Sequence, residues 1–324
     1  MKSHKNILVI GIGGVGGYFG GKLAWNIEKS KTKDYQVFFV ARGKHLKAIK
    51  ENGLILNTAD QDTIICRPQL AVENLNEIPP VEVILLAVKS YDLEQVLDQI
   101  HSRITKSTII LPLLNGIDIY ERIRRKIKSG IVLPSCVYIS SHIEKPGTVT
   151  HRVGKELIIF GPDPKHNNFY PSELLDAFTF CGINFKWTEE VDLAIWEKYI
   201  FIASYAIVTA LFDKTIGDVF FDYNLKEITR QIMLEIYNIG IAKGIAFNEY
   251  TVENAINKAR GLPHSTKTSY QLDISEKGSR NESNIYAETI IRLSKETGIA
   301  APVTVQTYNK ILKQLENKCK VNQK

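Results

Sequence analysis

Several features that would place a chain in a specialised class are scarce in this sequence. Four cysteines occur in 324 residues, and none forms a C-x-x-C pair or lies near histidines at metal-binding spacing. A disulfide framework and a structural zinc site are therefore excluded, and a reducing compartment is expected. We expect no metal in the active site.

Long hydrophobic runs and blocks of one charge are also missing. The longest apolar stretch runs from Tyr199 to Phe212, whereas a membrane span needs about 20 residues. Near the N-terminus, glycines interrupt the first apolar run early, so no signal peptide is predicted. The 41 Lys and Arg residues exceed the 35 Asp and Glu residues by a net charge of +6, and they are interspersed along the chain. We expect a cytoplasmic protein with neither a membrane nor a nucleic-acid partner, and an anionic small ligand.

The two parts of the chain carry different patterns, and the length fits two domains of roughly 150 residues each. Up to about Trp187, short β-branched runs alternate with helical patterns, which predicts a largely parallel sheet covered on both faces. These runs lie at 7–10, 36–40, 81–88 and 107–112, followed by TVTH, ELIIF and INFKW. Amphipathic segments then follow at 190–212, 224–244, 249–261, 283–298 and 303–318. The sequence predicts an α/β Rossmann-type domain over 1–188 and an all-α substrate and catalytic domain over 189–324.

A glycine-rich turn joins the first apolar strand to a helical pattern. Its residues are the first candidates for cofactor binding: Gly11, Ile12, Gly13, Gly14, Val15 and Gly16. Gly11 permits the tight turn, Gly13 lets the backbone approach a pyrophosphate, and Gly16 lets the helix pack closely on the strand. The pyrophosphate would lie at the helix N-terminus, where free N–H groups and the helix dipole favour negative charge. The strand before the turn and the helix after it favour this reading over a glycine-rich turn without a ligand.

The end of the second strand predicts which dinucleotide binds. The run QVFFV is followed by Ala41, Arg42, Gly43 and Lys44, with no acid to accept a hydrogen bond from a ribose 2′-OH. Arg42 can instead bind a 2′-phosphate through its forked guanidinium, with Lys44 as a second positive charge. We therefore predict NADP(H) over NAD(H). The alternative for Arg42 is a solvated loop cation.

Two polar residues follow the next strands of the predicted sheet. Lys89 comes after the run at 81–88, and Asn115 comes shortly after the run at 107–112. Ligands of open α/β sheets bind outside the carboxyl ends of the strands, so both residues are candidates for the cofactor site. Each has an alternative role in a loop or at a helix cap, since Asn before Gly is common in turns.

Six stretches of the chain, in order, resemble the ketopantoate reductase family, the 2-dehydropantoate 2-reductases. They are GIGGVGGYFGGKLA, AVKSYDLEQVL, LPLLNGI, YISSHIEKPGTVTH, IWEKYIFIASYAIVTAL and TSYQLDISEKGSRNE. The resemblance covers nearly the whole chain. It implies a Rossmann domain followed by a helical domain, and an NADPH-dependent reduction of a 2-oxo acid to a D-configured 2-hydroxy acid.

The resemblance also implies roles for single residues in cofactor binding. It matches the glycine loop to the family's dinucleotide loop and Arg42 to its 2′-phosphate arginine. It matches Lys89 to a lysine after the strand, and Asn115 to an asparagine that contacts both cofactor and substrate. A residue that offers its backbone to the cofactor corresponds to Ser141.

Further matches fall in the helical half and imply the catalytic residues. The family's catalytic lysine, which also binds substrate, falls on Lys198. The serine of its S-M-x-x-D stretch falls on Ser269, a substrate-binding position that is followed here by Tyr270. Its late glutamate, with roles in catalysis and cofactor binding, matches Glu282 after Gly278.

The chemistry of these groups suits such a reduction. A 2-oxo acid must receive a hydride at its carbonyl carbon and a proton at its oxygen, where negative charge grows in the transition state. An ammonium such as that of Lys198 stabilises this charge and can give up the proton. Glu282 would fix the geometry, and Ser269 would hold the substrate carboxylate. The alternatives are a solvated Lys198 paired with a nearby acid, and a Glu282 that serves as a charged helix entry.

The chain departs from the family pattern at positions that bind ketopantoate. Members acting on ketopantoate usually carry asparagines four and eight residues after the catalytic lysine, and here these positions are Ile202 and Ala206. An apolar wall offers no hydrogen bonds to a hydroxylated substrate. The stretch between Asp273 and Gly278 is also one residue longer than usual, which leaves the register of Glu282 open.

One function is the leading interpretation, and three alternatives stand beside it. The first is reduction of ketopantoate in pantothenate synthesis, and the second is reduction of a more apolar 2-oxo acid by a family paralogue. The third is a non-catalytic NADP(H) sensor, and the fourth is an opine-type or 6-phosphogluconate-type dehydrogenase, which shares the architecture. A homodimer is compatible with a helical second domain, although no heptad pattern marks an interface.

Overall fold

The computed structural model describes residues 5–31, 34–58, 63–151, 154, 156–277 and 281–321. The chain forms two compact units. The N-terminal unit comprises Met1–Asn115 and Ile119–Val191, and the helical unit comprises Gly116–Asp118 and Asp192–Lys324. The predicted domain boundary after residue 188 stays a prediction.

The strands of the N-terminal unit follow the apolar runs of the sequence. In chain order they are β1 (Lys5–Ile10), β2 (Tyr35–Val40), β3 (Leu54–Thr58), β4 (Ile64–Cys66), β5 (Leu70–Val72), β6 (Val83–Leu86), β7 (Ile109–Pro112), β8 (Ile131–Val132), β9 (Ser135–Tyr138), β10 (Ser141–Lys145), β11 (Thr148–His151), β12 (Leu157–Phe160) and β13 (Phe185–Trp187). Within the described residues, the six strands of the main sheet are all parallel and lie in the order β5, β2, β1, β6, β7, β8.

Burial explains why this sheet is parallel. The central strands are apolar along their length, and all four residues of β6 and of β7 are buried. Strands buried on both faces read as continuous hydrophobic runs and need helices on both sides. The order of the sheet reverses at β1, because β2 lies on one side of it and β6 on the other. Ligands of such sheets bind at this switch point, outside the carboxyl ends of the strands.

Two smaller sheets complete the unit. One contains β10, β11, β3 and β4, and the other contains β13, β12 and β9. Phe160 of β12 packs edge-on against Phe178 and Trp187, with ring centroids 6.1 and 5.6 Å away. The described cysteines, Cys66, Cys136 and Cys181, are buried and form no disulfide with one another.

The helices divide between the two units. The N-terminal unit contains α1 (Gly14–Ser30), α2 (Gly43–Asn52), α3 (Leu93–Ile100), α4 (Ile119–Lys126) and α5 (Ser172–Phe180). The helices that follow are α6 (Val191–Phe212), α7 (Ile216–Phe221), α8 (Tyr223–Ala242), α9 (Thr251–Asn257), α10 (Ser269–Lys277), α11 (Ala287–Thr297) and α12 (Pro302–Val321). The predicted fold class, an α/β Rossmann-type domain followed by an all-α domain, is confirmed.

The core of the helical unit is built around α6. Tyr199, Ile200 and Tyr205 on this helix are at most 1% exposed. Within the described part of the chain, α6 is the one helix long and apolar enough to cross a membrane, and 78% of its apolar window is buried in the protein. That burial is typical of a core helix in a soluble unit.

A buried acid on α8 supports the last helix. The Glu235 carboxylate accepts hydrogen bonds from the backbone N–H groups of Val303 (2.7 Å) and Thr304 (2.9 Å), and from the Thr304 hydroxyl (2.6 Å). The first N–H groups of a helix have no partner within the helix, and a negative charge there is favourable. Glu235 therefore acts as a remote cap that docks α12 onto α8.

Some elements differ from the sequence prediction. The helix expected at 249–261 ends at Asn257 and continues as a 3₁₀ turn, and the helix expected from 283 begins at Ala287 after a 3₁₀ turn at Ser283–Ile285. The short helices α7 and α10 were not predicted. Side-chain capping stabilises α7 at its start. The Thr215 hydroxyl accepts from the N–H of Asp218, and the Asp218 carboxylate accepts from the N–H of Thr215, which together form a capping box.

Candidate active site

The glycine loop between β1 and α1 is shaped by close backbone contacts. Gly11 has φ +92°, and a Cβ there would lie 2.7 Å from the carbonyl oxygen of Ala87. A Cβ on Gly16 would collide with the Gly11 carbonyl, and one on Gly14 with the Ser141 carbonyl. These contacts hold α1 against the end of β1 and place the Ser141 backbone directly beside the loop.

Gly13 differs from its neighbours because its surroundings are open. A Cβ added there would meet no heavy atom within 4 Å. Ile12 is buried and Val15 half-buried, so a ligand at the loop would meet their backbone and not their side chains. The loop therefore leaves an open space at Gly13 that a side chain would fill, next to the N-terminus of α1.

The N-terminus of α1 is suited to an anion. Gly13 occupies the cap position without a side-chain hydrogen bond, and the first turn of this 17-residue helix contains no acidic residue. The first N–H groups therefore remain available, and the helix dipole favours negative charge at this end. A dinucleotide pyrophosphate fits these groups.

Arg42 follows β2 at the same edge of the sheet. Its side chain is 50% exposed, and its Nη1 lies 3.7 Å from Oδ2 of Asp92. Gly43 begins α2 with φ +55°, and Lys44 beside it is exposed. A half-exposed guanidinium at the end of β2 is placed to meet a 2′-phosphate, and this role stays a prediction.

Lys89 and Asn115 follow β6 and β7 at this edge. The register pairs Ile10 of β1 with Leu86 of β6, and Leu86 with Pro112 of β7, so these strands end side by side. Lys89 is half-buried and precedes a 3₁₀ turn at Ser90–Asp92. Asn115 is half-buried, and Gly116 has φ +123°. The structure thus places the glycine loop, Arg42, Lys89, Asn115 and Ser141 around the carboxyl ends of β1, β2, β6 and β7.

Arg122 of α4 supports the turn that follows Lys89. Its guanidinium donates to both carboxylate oxygens of Glu94, at 2.7 and 2.8 Å, and to the carbonyl oxygen of Ser90 at 2.7 Å. The Arg122 side chain is only 7% exposed. A bidentate, charge-assisted pair of this kind fixes geometry well. Sequence reasoning missed Arg122, because no local pattern links it to Lys89.

His45 in the first turn of α2 is a second residue that sequence reasoning missed. Its Nδ1 accepts a hydrogen bond from the backbone N–H of Gly147 at 3.0 Å. Burial lowers the pKa of His45, and the backbone carbonyl of Ile12 partly offsets this effect. The neutral ring therefore connects α2, beside Arg42, to the turn between β10 and β11.

In the helical unit, Lys198 is buried in α6 and only 6% exposed. The alternative of a solvated lysine is therefore wrong. Ile202, one turn further along, is half-buried, and Ala206 is 1% exposed. The apolar positions that replace the family's asparagines thus lie on a helix that is largely buried.

Ser269 and Glu282 lie in neighbouring segments of the helical unit. Ser269 is exposed and is the first residue of α10. The Thr268 hydroxyl accepts from the N–H of Gln271 at 3.2 Å and lies 2.8 Å from the Thr209 hydroxyl of α6. Glu282 is 7% exposed and precedes the 3₁₀ turn at Ser283–Ile285, but its side chain does not cap that turn. Gly278, which the sequence match used, lies outside the described residues.

Hydrogen bonds of adjacent residues bring these segments together. The Tyr199 hydroxyl, next to Lys198, donates to the carbonyl oxygens of Ile285 (2.7 Å) and Tyr286 (3.0 Å). The turn that follows Glu282 is therefore bound to the helix that carries Lys198. The catalytic and substrate-binding roles themselves stay predictions.

Comparison with known proteins covers both units. The family described as "Ketopantoate reductase PanE/ApbA" matches residues 7–165, and "Ketopantoate reductase PanE/ApbA C terminal" matches residues 190–316. The chain is 26% identical over 301 residues to the uncharacterized oxidoreductase YkpB of Bacillus subtilis (strain 168), which covers 93% of this chain and 96% of that protein.

Solved structures share the fold along nearly the full length. The crystal structure of 2-dehydropantoate 2-reductase from Porphyromonas gingivalis W83 is 27% identical, with a TM-score of 0.79 over 95% of this chain and 99% of that one. The ternary structure of D-mandelate dehydrogenase with NADH and anilino(oxo)acetate is 20% identical, with a TM-score of 0.82 over 96% of this chain and 99% of that one. The second likeness shows the fold alone.

Proposed function

This chain belongs to the ketopantoate reductase family, and we propose that it uses NADPH to reduce 2-dehydropantoate (ketopantoate) to (R)-pantoate in pantothenate biosynthesis. The family comprises NAD(P)H-dependent oxidoreductases that act on 2-oxo acids. The observation that carries the proposal is the burial of Lys198, 6% exposed, at the position of the family's catalytic lysine.

The N-terminal unit supplies the groups that would hold the cofactor. The open space beside Gly13 and the uncapped start of α1 suit the pyrophosphate, and Arg42 suits the 2′-phosphate. Lys89 and Asn115 follow strands at the same edge, and the Ser141 backbone lies beside the glycine loop. When bound, NADPH supplies the hydride that reduces the carbonyl carbon.

Lys198 would act on the carbonyl oxygen of the substrate. During reduction the π electron pair of the C=O bond would move onto oxygen, and the Lys198 ammonium would stabilise this charge. Lys198 then donates a proton to the oxygen, so the product is the 2-hydroxy acid and the lysine is left neutral until it regains a proton. Burial strengthens this interaction because water screens the charges less.

Glu282, Ser269 and Asn115 would orient the substrate. Glu282 would hydrogen-bond to the substrate hydroxyl or to Lys198, and it would also contact the cofactor. Ser269, at the start of α10, has a hydroxyl and a helix N-terminus to offer the substrate carboxylate. Asn115 would bind both substrate and cofactor from the end of β7.

A second candidate substrate is a more apolar 2-oxo acid. Ile202 and Ala206 favour it, because they leave an apolar helix surface where ketopantoate-reducing members carry asparagines. Burying a hydroxyl of the substrate against such a surface would leave it without a partner. A non-catalytic NADP(H) sensor is the alternative from another class, and retention of both Lys198 and Glu282 argues against it.

The proposal also includes a cytoplasmic location, no nucleic-acid or membrane partner, and a homodimer as the assembly to be tested by sedimentation. The enzymatic part is tested by following NADPH absorbance with the purified protein across a panel of 2-oxo acids. Ketopantoate and 2-oxo acids with branched and aromatic side chains are included, with NADH in parallel. Turnover of ketopantoate supports the first candidate, and turnover of only the apolar acids supports the second. Tight NADPH binding without turnover of any acid favours the sensor.

A further inference from the structure

Two predicted site residues of the helical unit are each followed by a fully buried tyrosine. Tyr199 follows Lys198 and is 1% exposed, and Tyr270 follows Ser269 and is 0% exposed. A buried tyrosine hydroxyl must find a hydrogen-bond partner, because an unsatisfied one is costly. Both hydroxyls find their partners in one short segment, which begins directly after Glu282.

The first contact comes from α6. The Tyr199 hydroxyl lies 2.7 Å from the carbonyl oxygen of Ile285 and 3.0 Å from that of Tyr286. Burial raises the pKa of Tyr199 well above its ordinary value, so the hydroxyl keeps its proton and donates. The backbone at the end of the 3₁₀ turn is thereby fixed to the residue beside Lys198.

The second contact comes from α10 and has a defined direction. The Tyr270 hydroxyl lies 2.6 Å from Oγ of Ser283. Oγ of Ser283 donates to Oδ1 of Asn281 at 2.6 Å, and the same oxygen accepts from the Ser283 N–H at 2.9 Å. A serine hydroxyl has one proton, so Tyr270 must be the donor to Ser283.

The resulting chain of hydrogen bonds runs through the two residues that flank Glu282 in the sequence. These residues, Asn281 and Ser283, are bonded to each other, and Ser283 is bonded to Tyr270. Tyr270 stands where the family pattern has methionine, a residue without a hydroxyl proton to donate. The contact from α10 is therefore specific to the tyrosine of this chain.

We propose that Tyr199 and Tyr270 are positioning residues that hold Glu282 in a fixed relation to Lys198 and Ser269. The inference rests on the proposed function, because it assigns Glu282 a part in the reduction.

The test removes single hydroxyls and compares their effects. Tyr270→Phe and Ser283→Ala each delete one end of the same bond, and Tyr205→Phe is the matched control. Tyr205 lies on α6, is fully buried, and donates to the carbonyl oxygen of Ile256 at 3.3 Å, on α9. Thermal midpoints and NADPH dissociation constants are measured for each variant beside kcat and KM for the 2-oxo acid.

We expect Tyr270→Phe to lower kcat/KM for the 2-oxo acid by about tenfold, near the upper end of the effect of one net hydrogen bond. Ser283→Ala removes this bond and also the bond from Ser283 Oγ to Asn281, so its effect should be at least as large. The double variant should be no worse than Ser283→Ala, because the Tyr270 hydroxyl then has no bond to Ser283 left to lose. Tyr205→Phe should keep wild-type kcat/KM and the wild-type affinity for NADPH.

A background variant separates positioning from general structural support. In Glu282→Gln, adding Tyr270→Phe should reduce turnover no further, because the group it positions has already been altered. A further tenfold loss, about 1.4 kcal/mol, would overturn the inference. So would a Tyr270→Phe variant whose kcat/KM equals that of Tyr205→Phe.

Amide hydrogen exchange gives a readout that does not need turnover. If wild type reduces no 2-oxo acid, the proposed function fails, and exchange at 281–286 still reports on the contact. Faster exchange there in Tyr270→Phe, with no change in Tyr205→Phe, would support positioning of the segment that carries Glu282. Unchanged exchange would overturn it.

Discussion

Asp118 and Arg292 form an ion pair with 2.7 Å between Oδ2 and Nη2. The pair is unequal, because the Asp118 side chain is 10% exposed whereas the Arg292 side chain is 40% exposed. Asp118 belongs to the short segment after Asn115, and Arg292 lies on α11 of the same compact unit. The position of the residues after Asn115 therefore depends on a helix far along the chain.

Because Asp118 is more buried than Arg292, removing the arginine alone should cost more stability than removing both partners. Arg292→Ala leaves a buried carboxylate without its cation and should lower the free energy of unfolding by about 2 kcal/mol. The double variant Asp118→Ala/Arg292→Ala should be more stable than Arg292→Ala alone, because the unpaired charge is gone. Urea denaturation measures both, and Glu296→Ala, which removes the exposed partner of Arg292, should cost under about 0.5 kcal/mol. A double variant less stable than the single one contradicts this account.

Replacing Lys198 should separate binding from chemistry. Lys198→Ala should lower kcat by about 10²- to 10⁴-fold, because the lysine acts on charge that forms during reaction. The dissociation constant of NADPH, measured by fluorescence titration, should change by less than about twofold, since Lys198 is not among the residues proposed to bind the cofactor. Lys243→Ala, which changes an exposed lysine of the helical unit, is the control. An unchanged rate in Lys198→Ala would remove Lys198 from the mechanism.

Arg42 should decide between the two nicotinamide dinucleotides. Arg42→Asp replaces the cation with a group that repels a 2′-phosphate and accepts from a 2′-OH, so KM for NADPH should rise by about 100-fold while KM for NADH falls. Steady-state kinetics with each cofactor measure the change. Lys47→Asp on the exposed face of α2 makes the same charge change nearby, and retained NADPH affinity in Arg42→Asp would refute the phosphate role.

Acid should destabilise the protein through His45. Burial lowers the pKa of His45, so the folded state favours the neutral ring that accepts from Gly147. This contribution is complete above the unfolded-state pKa of about 6.5 and is lost as the pH falls through the lower folded-state value. We expect the free energy of unfolding of wild type to fall more steeply below about pH 6.5 than that of His45→Asn, whose amide oxygen keeps an acceptor. Denaturation at each pH measures how the free energy of unfolding changes with pH, and His142→Asn is the control at an exposed histidine. Equal slopes for wild type and His45→Asn would exclude His45 as the source of the pH dependence.

Much of the fold could be predicted because the information is local. The strands β1, β2, β6 and β7 are continuous apolar runs, and the glycine loop follows β1 in the spacing that a dinucleotide requires. Strands of two or three residues, such as β5 and β8, carry too few positions to show a period. The helix α10 was missed because a threonine cap and contacts with other segments stabilise it.

The candidate site could be predicted only where one residue type has a clear local role. Glycines with a defined turn and an arginine after a strand are visible in sequence. Arg122, His45 and Tyr270 act through partners far away along the chain or across a loop, and no spacing rule connects them. A tyrosine directly after each of two site residues was the one signal that could have pointed to the contacts with Ser283 and Ile285.

The cap that Glu235 provides has a consequence for synthesis on the ribosome. Glu235 lies 68 residues before Val303, and its carboxylate accepts a hydrogen bond from the Val303 N–H group. In a nascent chain whose α12 has not yet left the ribosome, the Glu235 carboxylate on α8 lacks its hydrogen-bond donors in Val303 and Thr304. Water must then solvate this carboxylate. Docking of α12 then withdraws the charge from solvent and gives it three donors in one step. The helical unit should therefore become protease-resistant only after translation has passed α12.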